Sequence, residues 1–247
     1  MPEETPATAT GPCSFGTRVA AFDWPAIAPE LDAEGAALLP GLLTAEECRE
    51  VAGLFDDVAR FRSQVVMARH GYGQGEYRYF AYPLPALVED LRTALYPRLA
   101  GVANAWTAAL GAAVRYPPTL SEFLGRCHDA GQTRPTPLLL RYGPGDYNRL
   151  HQDLYGAHVF PLQVVVLLAE PGRDFTGGEF VLTEQRPRMQ SRAIVAPLRQ
   201  GDALVFAVRE RPQLGSHGVY RVQLRHGVSR VRSGARHTLG IIFHDAA

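Results

Sequence analysis

His151-Gln152-Asp153 is where residue type and spacing first offer a metal site. Side chains on an extended backbone alternate faces, so an imidazole and a carboxylate two residues apart point to the same side. Two histidines and one carboxylate on one face of an ion make the ligand set of mononuclear non-haem iron, with positions left open for chemistry. In a chain with eight histidines an H-x-D triplet alone means little. Its meaning depends on a third ligand and on an anchor for a co-substrate.

Four histidines from residue 217 onward are candidates for the third ligand: His217, His226, His237 and His244. His226 opens the segment H-G-V-S-R-V-R-S-G-A-R, in which Ser233-Gly234 supplies a turn. A turn there returns the chain antiparallel and brings Arg236 back beside the strand carrying His226. In the returning strand Arg236, Thr238, Gly240 and Ile242 share one face, and His237, Leu239, Ile241 and Phe243 the other. If Arg236 faces inward, His237 faces away and is no ligand. His217 sits in a Gly215–Gly218 turn and His244 at a strand end; both stay open, with His226 favoured. A buried arginine is costly unless an anion meets it, and its planar fork matches a carboxylate through two hydrogen bonds. A structural salt bridge is the plain alternative, but the spacing from His226 favours a ligand carboxylate.

The elements that must position these residues change character near Pro137. Residues 1–16, rich in Pro, Thr and Ala, have almost nothing to bury and read as a disordered tail. Residues 17–247 read as one domain, helical over about 17–137 and β-rich over about 138–247. Ala36 to Leu39 predicts a short strand. Thr44-Ala45-Glu46-Glu47 has capping-box form, and Val51, Leu54, Phe55, Val58 and Phe61 recur at helical spacing, which predicts a helix over 45–61. The glycine- and tyrosine-rich stretch 69–83 reads as a hairpin packed on neighbouring strands, or as a substrate-facing loop offering Tyr72, Tyr77, Arg78 and Tyr79. Leu87 to Leu110 marks a long helical region that Pro97 should kink or split. A further short helix carries Cys127-His128-Asp129, whose side chains diverge and read as structural or solvated. Beyond Pro137, short apolar runs alternate with Pro171-Gly172, Gly177-Gly178, Gly201-Asp202 and Ser233-Gly234, the texture of a sandwich or barrel. The fold class expected is α+β, with helices buttressing one face of a jelly roll.

Residues 138–244 resemble the Fe(II)- and 2-oxoglutarate-dependent oxygenases, especially the branch related to prolyl hydroxylases. The matching pieces are Tyr142 and Tyr147 ahead of His151-Gln152-Asp153, then Gly177-Gly178-Glu179-Phe180, Gly201-Asp202-Ala203-Leu204-Val205-Phe206, and His226-Gly227-Val228 with Val231, Gly234 and Arg236. The resemblance implies a double-stranded β-helix with iron held by His151, Asp153 and His226. It also implies that Arg236 holds the distal carboxylate of 2-oxoglutarate, with Tyr142 and Thr238 adding hydroxyls. The reaction implied is oxidative decarboxylation of 2-oxoglutarate by dioxygen, coupled to hydroxylation of a C–H bond. Asp153 keeps the carboxylate ligand that a halide-binding variant lacks, so hydroxylation is the expected outcome. Two other readings are a jelly-roll binding module without catalysis and a cupin-like metal dioxygenase that does not use 2-oxoglutarate. An inward Arg236 separates them, because only the 2-oxoglutarate reading needs a cation beyond the metal.

The 25 basic and 25 acidic side chains cancel, so charge gives no reason to expect nucleic acid or a membrane surface. Cys13, Cys48 and Cys127 fit neither a disulfide framework nor a zinc motif and read as reduced thiols of a cytoplasmic protein. Nothing points to export, and no apolar run reaches the roughly 18 residues of a membrane span. A small-molecule or peptide substrate is expected. Arg78, Tyr79 and Arg188, with Arg186 and Arg192, are the candidates for an entrance that favours acidic substrates, against the plainer reading of solvated loop arginines.

Overall fold

The computed structural model describes residues 14–247; residues 1–13 of the expected tail, Cys13 among them, lie outside the described residues. Five helices come mostly early: α1 (Phe15–Ala20), α2 (Trp24–Glu34), α3 (Ala45–Gly53), α4 (Ala86–Ala109) and α5 (Leu120–Asp129). The strands are β1 (Ala36–Leu39), β2 (Phe61–Val66), β3 (Gly73–Gln74), β4 (Glu76–Phe80), β5 (Leu138–Tyr142), β6 (Tyr147–His151), β7 (Leu162–Leu167), β8 (Phe175–Gly177), β9 (Phe180–Gln185), β10 (Arg192–Ala196), β11 (Ala203–Ala207), β12 (Glu210–Gly215), β13 (Gly218–Val228), β14 (Val231–Gly234) and β15 (Arg236–Ile241). They form a seven-stranded sheet in the order β1-β11-β7-β15-β5-β4-β2 and a six-stranded sheet built on β10-β9-β13-β6-β3 with β12 beside β13. The α+β jelly roll buttressed by helices is thus present.

Period-two alternation explains the layering. On β7 and β15, Val164, Val166, Leu239 and Ile241 share one buried cluster with Val51, Leu91, Leu95 and Phe123 of the helices and with Phe55 just after α3. Their neighbours Val165 and Leu167 turn the other way, to meet Phe180, Leu182 and Val228 of the smaller sheet. Both faces of β7 are buried, which is why Leu162 to Leu167 reads as an almost unbroken apolar run.

Three expectations need correction. Ser14 caps α1, so residues 14–16 are ordered as a helix start rather than continuing a tail. The helix expected over 45–61 does begin with a complete Thr44–Glu47 capping box but ends at Gly53. Two short 3-10 turns follow, and Phe61 already starts β2. Val58 is 65% exposed, so its place in the apolar period does not reflect burial. Pro97 lies inside one helix and does not split it. Leu91, Leu95, Leu99, Ala103 and Trp106 are buried along its whole length, and that packing offsets the lost backbone hydrogen bond.

The stretch 69–83 belongs to both sheets. Gly73 and Gln74 pair with Asn148 and Tyr147 of β6, whereas Glu76 to Tyr79 pair with β5. Gly75, at φ 112°, makes the crossing, and a Cβ there would lie 2.9 Å from the Tyr142 ring. Cys127-His128-Asp129 is structural: Cys127 is buried and His128 Nε2 pairs with Asp245 at 2.9 Å. No described helix is long and apolar enough to cross a membrane.

Candidate metal centre and its pocket

His226 on β13 lies directly opposite His151 on β6. Gly227 makes this pairing possible, because a Cβ there would fall 2.7 Å from the Asn148 carbonyl oxygen, where the register shifts. The two imidazole centres are 4.2 Å apart. Asp153, just past the end of β6, reaches both: Oδ1 lies 3.6 Å from His151 Nε2 and Oδ2 lies 3.3 Å from His226 Nε2. One donor atom from each residue falls within 4.8 Å of the others, the one such grouping among the described residues.

Protonation suits metal binding. His151 Nδ1–H donates to the Arg149 carbonyl at 2.7 Å, which leaves the Nε2 lone pair turned toward Asp153. Burial and the neighbouring His151 push His226 down, against the opposing pull of Asp153. Burial works against charge on Asp153. The hydrogen bond and charge of His226, the His151 imidazole and the Gln163 amide nevertheless hold its carboxyl well below the usual carboxylate range.

Beside this cluster a cavity of about 410 Å³ opens between the sheets. Arg236 lies at its wall, 1% exposed, with Nε and Nη1 lacking any hydrogen-bond partner. Burial pushes its pKa down to about 10, which leaves it charged at neutral pH. The Tyr142 hydroxyl, buried with Asn148 as a near neighbour, closes no hydrogen bond of normal geometry. Thr238 is 2% exposed on the same wall. An uncompensated buried guanidinium costs several kcal/mol, and a carboxylate is the group that satisfies its fork together with a hydroxyl. The donor set fits iron and the orphaned atoms fit the distal carboxylate of 2-oxoglutarate. His237 faces the other way, its ring edge-on to Phe55 at 6.3 Å. His217 sits in the turn between β12 and β13. His244 is buried elsewhere and accepts the Phe160 N–H at 3.2 Å.

The cavity brings together His151, Asp153, His226, Tyr142, Arg236, Thr238 and Tyr79. It does not include Arg78 or Arg188. Arg78 falls on the opposite face of β4 from Tyr77 and Tyr79, donates to Glu76 and to the Phe55 carbonyl, and lies over the Phe55 ring. Arg188 occupies an exposed turn at φ 62°, while Arg186 and Arg192 pair with Glu184 and Glu34. These arginines do not form the expected entrance. Two residues missed from sequence join the site: Gln163, a lone polar side chain in an apolar strand, and Tyr155, in the loop after Asp153. The first was legible as a polar break in a buried run; the second carried no signal.

Residues 75–246 match the model of the Oxygenase-NA family, described as an oxygenase catalysing oxidative methylation of damaged DNA. An uncharacterised protein of Mycobacterium tuberculosis, found in two strains, is 52% identical over 168 residues, which cover 68% of this chain and 72% of that protein. A 2OG-Fe(II) oxygenase family oxidoreductase from Burkholderia pseudomallei superposes with a TM-score of 0.54 at 19% identity, over 92% of this chain and 94% of that one. A Pseudomonas putida prolyl-4-hydroxylase superposes with a TM-score of 0.51 at 17% identity, over 91% and 100%. The architecture is the one these oxygenases share.

Proposed function

The chain belongs to the Oxygenase-NA family and is a 2-oxoglutarate- and Fe(II)-dependent oxygenase of prolyl-hydroxylase-like fold, and from that premise we propose how its site works and what it accepts. His151, Asp153 and His226 hold Fe(II), and Arg236 holds the distal carboxylate of 2-oxoglutarate with hydroxyls from Tyr142 and Thr238. The observation that carries this reading is the buried, unpartnered Arg236 on the same cavity as the three ligands. When bound, iron and 2-oxoglutarate supply the conversion of 2-oxoglutarate and dioxygen to succinate and carbon dioxide, with the second oxygen atom passing to a substrate C–H bond. The chain's own residues orient and shield. The Arg149 carbonyl fixes the His151 tautomer, and Phe180 and Phe206 pack on the His226 ring at 5.9 and 4.7 Å, which keeps water from that side.

The substrate would meet a wall of tyrosine rings. Tyr77 and Tyr79 meet edge to face at 5.4 Å and line the cavity with Leu140 and Ile242. A compact apolar or aromatic group of a small molecule or peptide suits this wall. The family's description favours a second reading, damaged DNA. Tyr72, 51% exposed and stacked on His70 beside Arg149 at the cavity, supports it. Succinate formation in the presence of Fe(II), ascorbate and 2-oxoglutarate tests the proposal, with a metabolite and peptide library in one arm and methylated oligonucleotides in the other. Succinate stimulated by a member of either arm supports it and names the class. No succinate above the level of a His226→Ala variant in any arm would contradict it.

A further inference from the structure

Asp153 is held by more than the two imidazoles. Tyr155 Oη donates to Oδ1 at 2.7 Å, and Gln163 Nε2 donates to Oδ2 at 2.9 Å. The same Gln163 nitrogen lies 3.2 Å from His226 Nε2, so one amide touches two of the three candidate ligands. Gln163 is 4% exposed on β7, a strand fixed on both sides within the large sheet. Tyr155 is on a loop, yet that loop is pinned. Gln132 Oε1 accepts the His158 N–H at 2.7 Å, and its Nε2 donates to the carbonyls of Tyr155, His158 and Asp245 at 3.2, 3.0 and 2.6 Å. A Cβ on Gly156 would lie 2.3 Å from Gln132 Cδ, so the loop closes tightly on that amide. Tyr155 also receives a hydrogen bond from Tyr79 at 3.1 Å, with the rings at 89°.

A free carboxylate rotates about its last torsion and can present either oxygen, or both, to a cation. Donors on both oxygens, each mounted on fixed backbone, remove that freedom before any ion arrives. We propose that Tyr155 and Gln163 are positioning residues that preset the Asp153 carboxylate for a divalent cation, and that the Tyr79–Tyr155 bond ties this carboxylate to the wall of the substrate cavity. The proposal rests on Asp153 being a metal ligand. Neither side chain touches the metal; each acts through Asp153, as outer hydrogen-bond partners of metal ligands do.

Co(II) binding to the full chain tests it, read by calorimetry and by the visible absorption of the bound ion, without turnover. Tyr155→Phe keeps the ring and its packing but removes the donor to Oδ1. Gln163→Met keeps the volume and removes the donor to Oδ2. Each is expected to weaken Co(II) binding by about 10- to 100-fold and to alter the Co(II) spectrum, with the metal-free Tm of Tyr155→Phe unchanged. Dissociation constants within threefold of wild type for both variants would overturn the proposal, as would a change confined to the metal-free Tm. Asp153→Ala separates the two levels. If it binds Co(II) as wild type does, the ligand assignment itself fails. If it loses binding while the other two variants do not, only the positioning proposal fails.

Discussion

At Arg236 two guanidinium nitrogens are buried without partners, in a wall shared with Tyr142 and Thr238. Removing one side of a buried, charge-assisted pair costs about 2–5 kcal/mol, which is roughly 30-fold or more in affinity. Arg236→Met, which keeps the apolar stem, is therefore expected to weaken 2-oxoglutarate binding to the Mn(II)-loaded protein at least 30-fold, with Arg236→Lys restoring part of it. Equal affinity in calorimetry for wild type and the methionine variant would remove Arg236 from co-substrate binding. His244 is a second residue whose burial has a measurable consequence. Burial, reinforced by the Arg92 charge, pushes it from an ordinary 6.5 to about 4. The folded chain keeps the ring neutral, with Nδ1 accepting the Phe160 N–H. Between those two values the unfolded chain binds a proton that the folded chain refuses. The stability from this site is thus complete above pH 6.5 and is lost as pH falls toward 4, by about 3 kcal/mol at most. His244→Asn keeps an acceptor for Phe160, and urea unfolding at pH 7 and pH 4.5 is expected to show a smaller loss in the variant. An identical loss in both proteins would show that His244 titrates normally in the fold.

Strands β7 and β15 each separate chemistry from support by the parity of their residues. Arg236 and Thr238 face the cavity, and Leu239 and Ile241 face the helices, both fully buried. Leu239→Ala is expected to cost about 2–5 kcal/mol in denaturant unfolding, while Co(II) affinity stays near wild type. A loss below about 1 kcal/mol would mean that the helical layer does not pack on this strand as tightly as its burial implies. The same parity made much of the site legible in the sequence. The alternation Arg236/His237/Thr238 placed each on its correct face, but the antiparallel return beside the His226 strand did not hold: β15 pairs β5 and β7 in the larger sheet, while β13 belongs to the smaller one. Arg78 was misread because parity is readable only where an anchor exists. Nothing in E-Y-R-Y-F says which residues of β4 face inward until its register with β5 is known. The helix over 45–61 failed for a related reason: Phe55 and Phe61 keep helical spacing while lying on a 3-10 turn and a strand. Tyr155 was out of reach altogether, since its place depends on Gln132 reaching the loop across the fold from residue 132.

Over the whole molecule, the two sheets converge on one end of a cavity. The smaller sheet contributes His151 and His226, the larger contributes Arg236, Thr238 and Gln163, and the chain from Gly73 to Phe80 passes from one to the other beside Tyr142. Iron and 2-oxoglutarate would bridge groups from both sheets, so neither sheet alone forms the site. Anaerobic titration of 2-oxoglutarate into the Fe(II)-loaded protein, followed by visible absorption, addresses this arrangement directly. A weak charge-transfer band that saturates at one 2-oxoglutarate per chain is expected for wild type, and no band at the same concentrations for His226→Ala or Arg236→Met. A wild-type protein that shows no band, or a band of equal strength and midpoint in both variants, would contradict an iron centre built on His151, Asp153 and His226 beside a co-substrate held by Arg236.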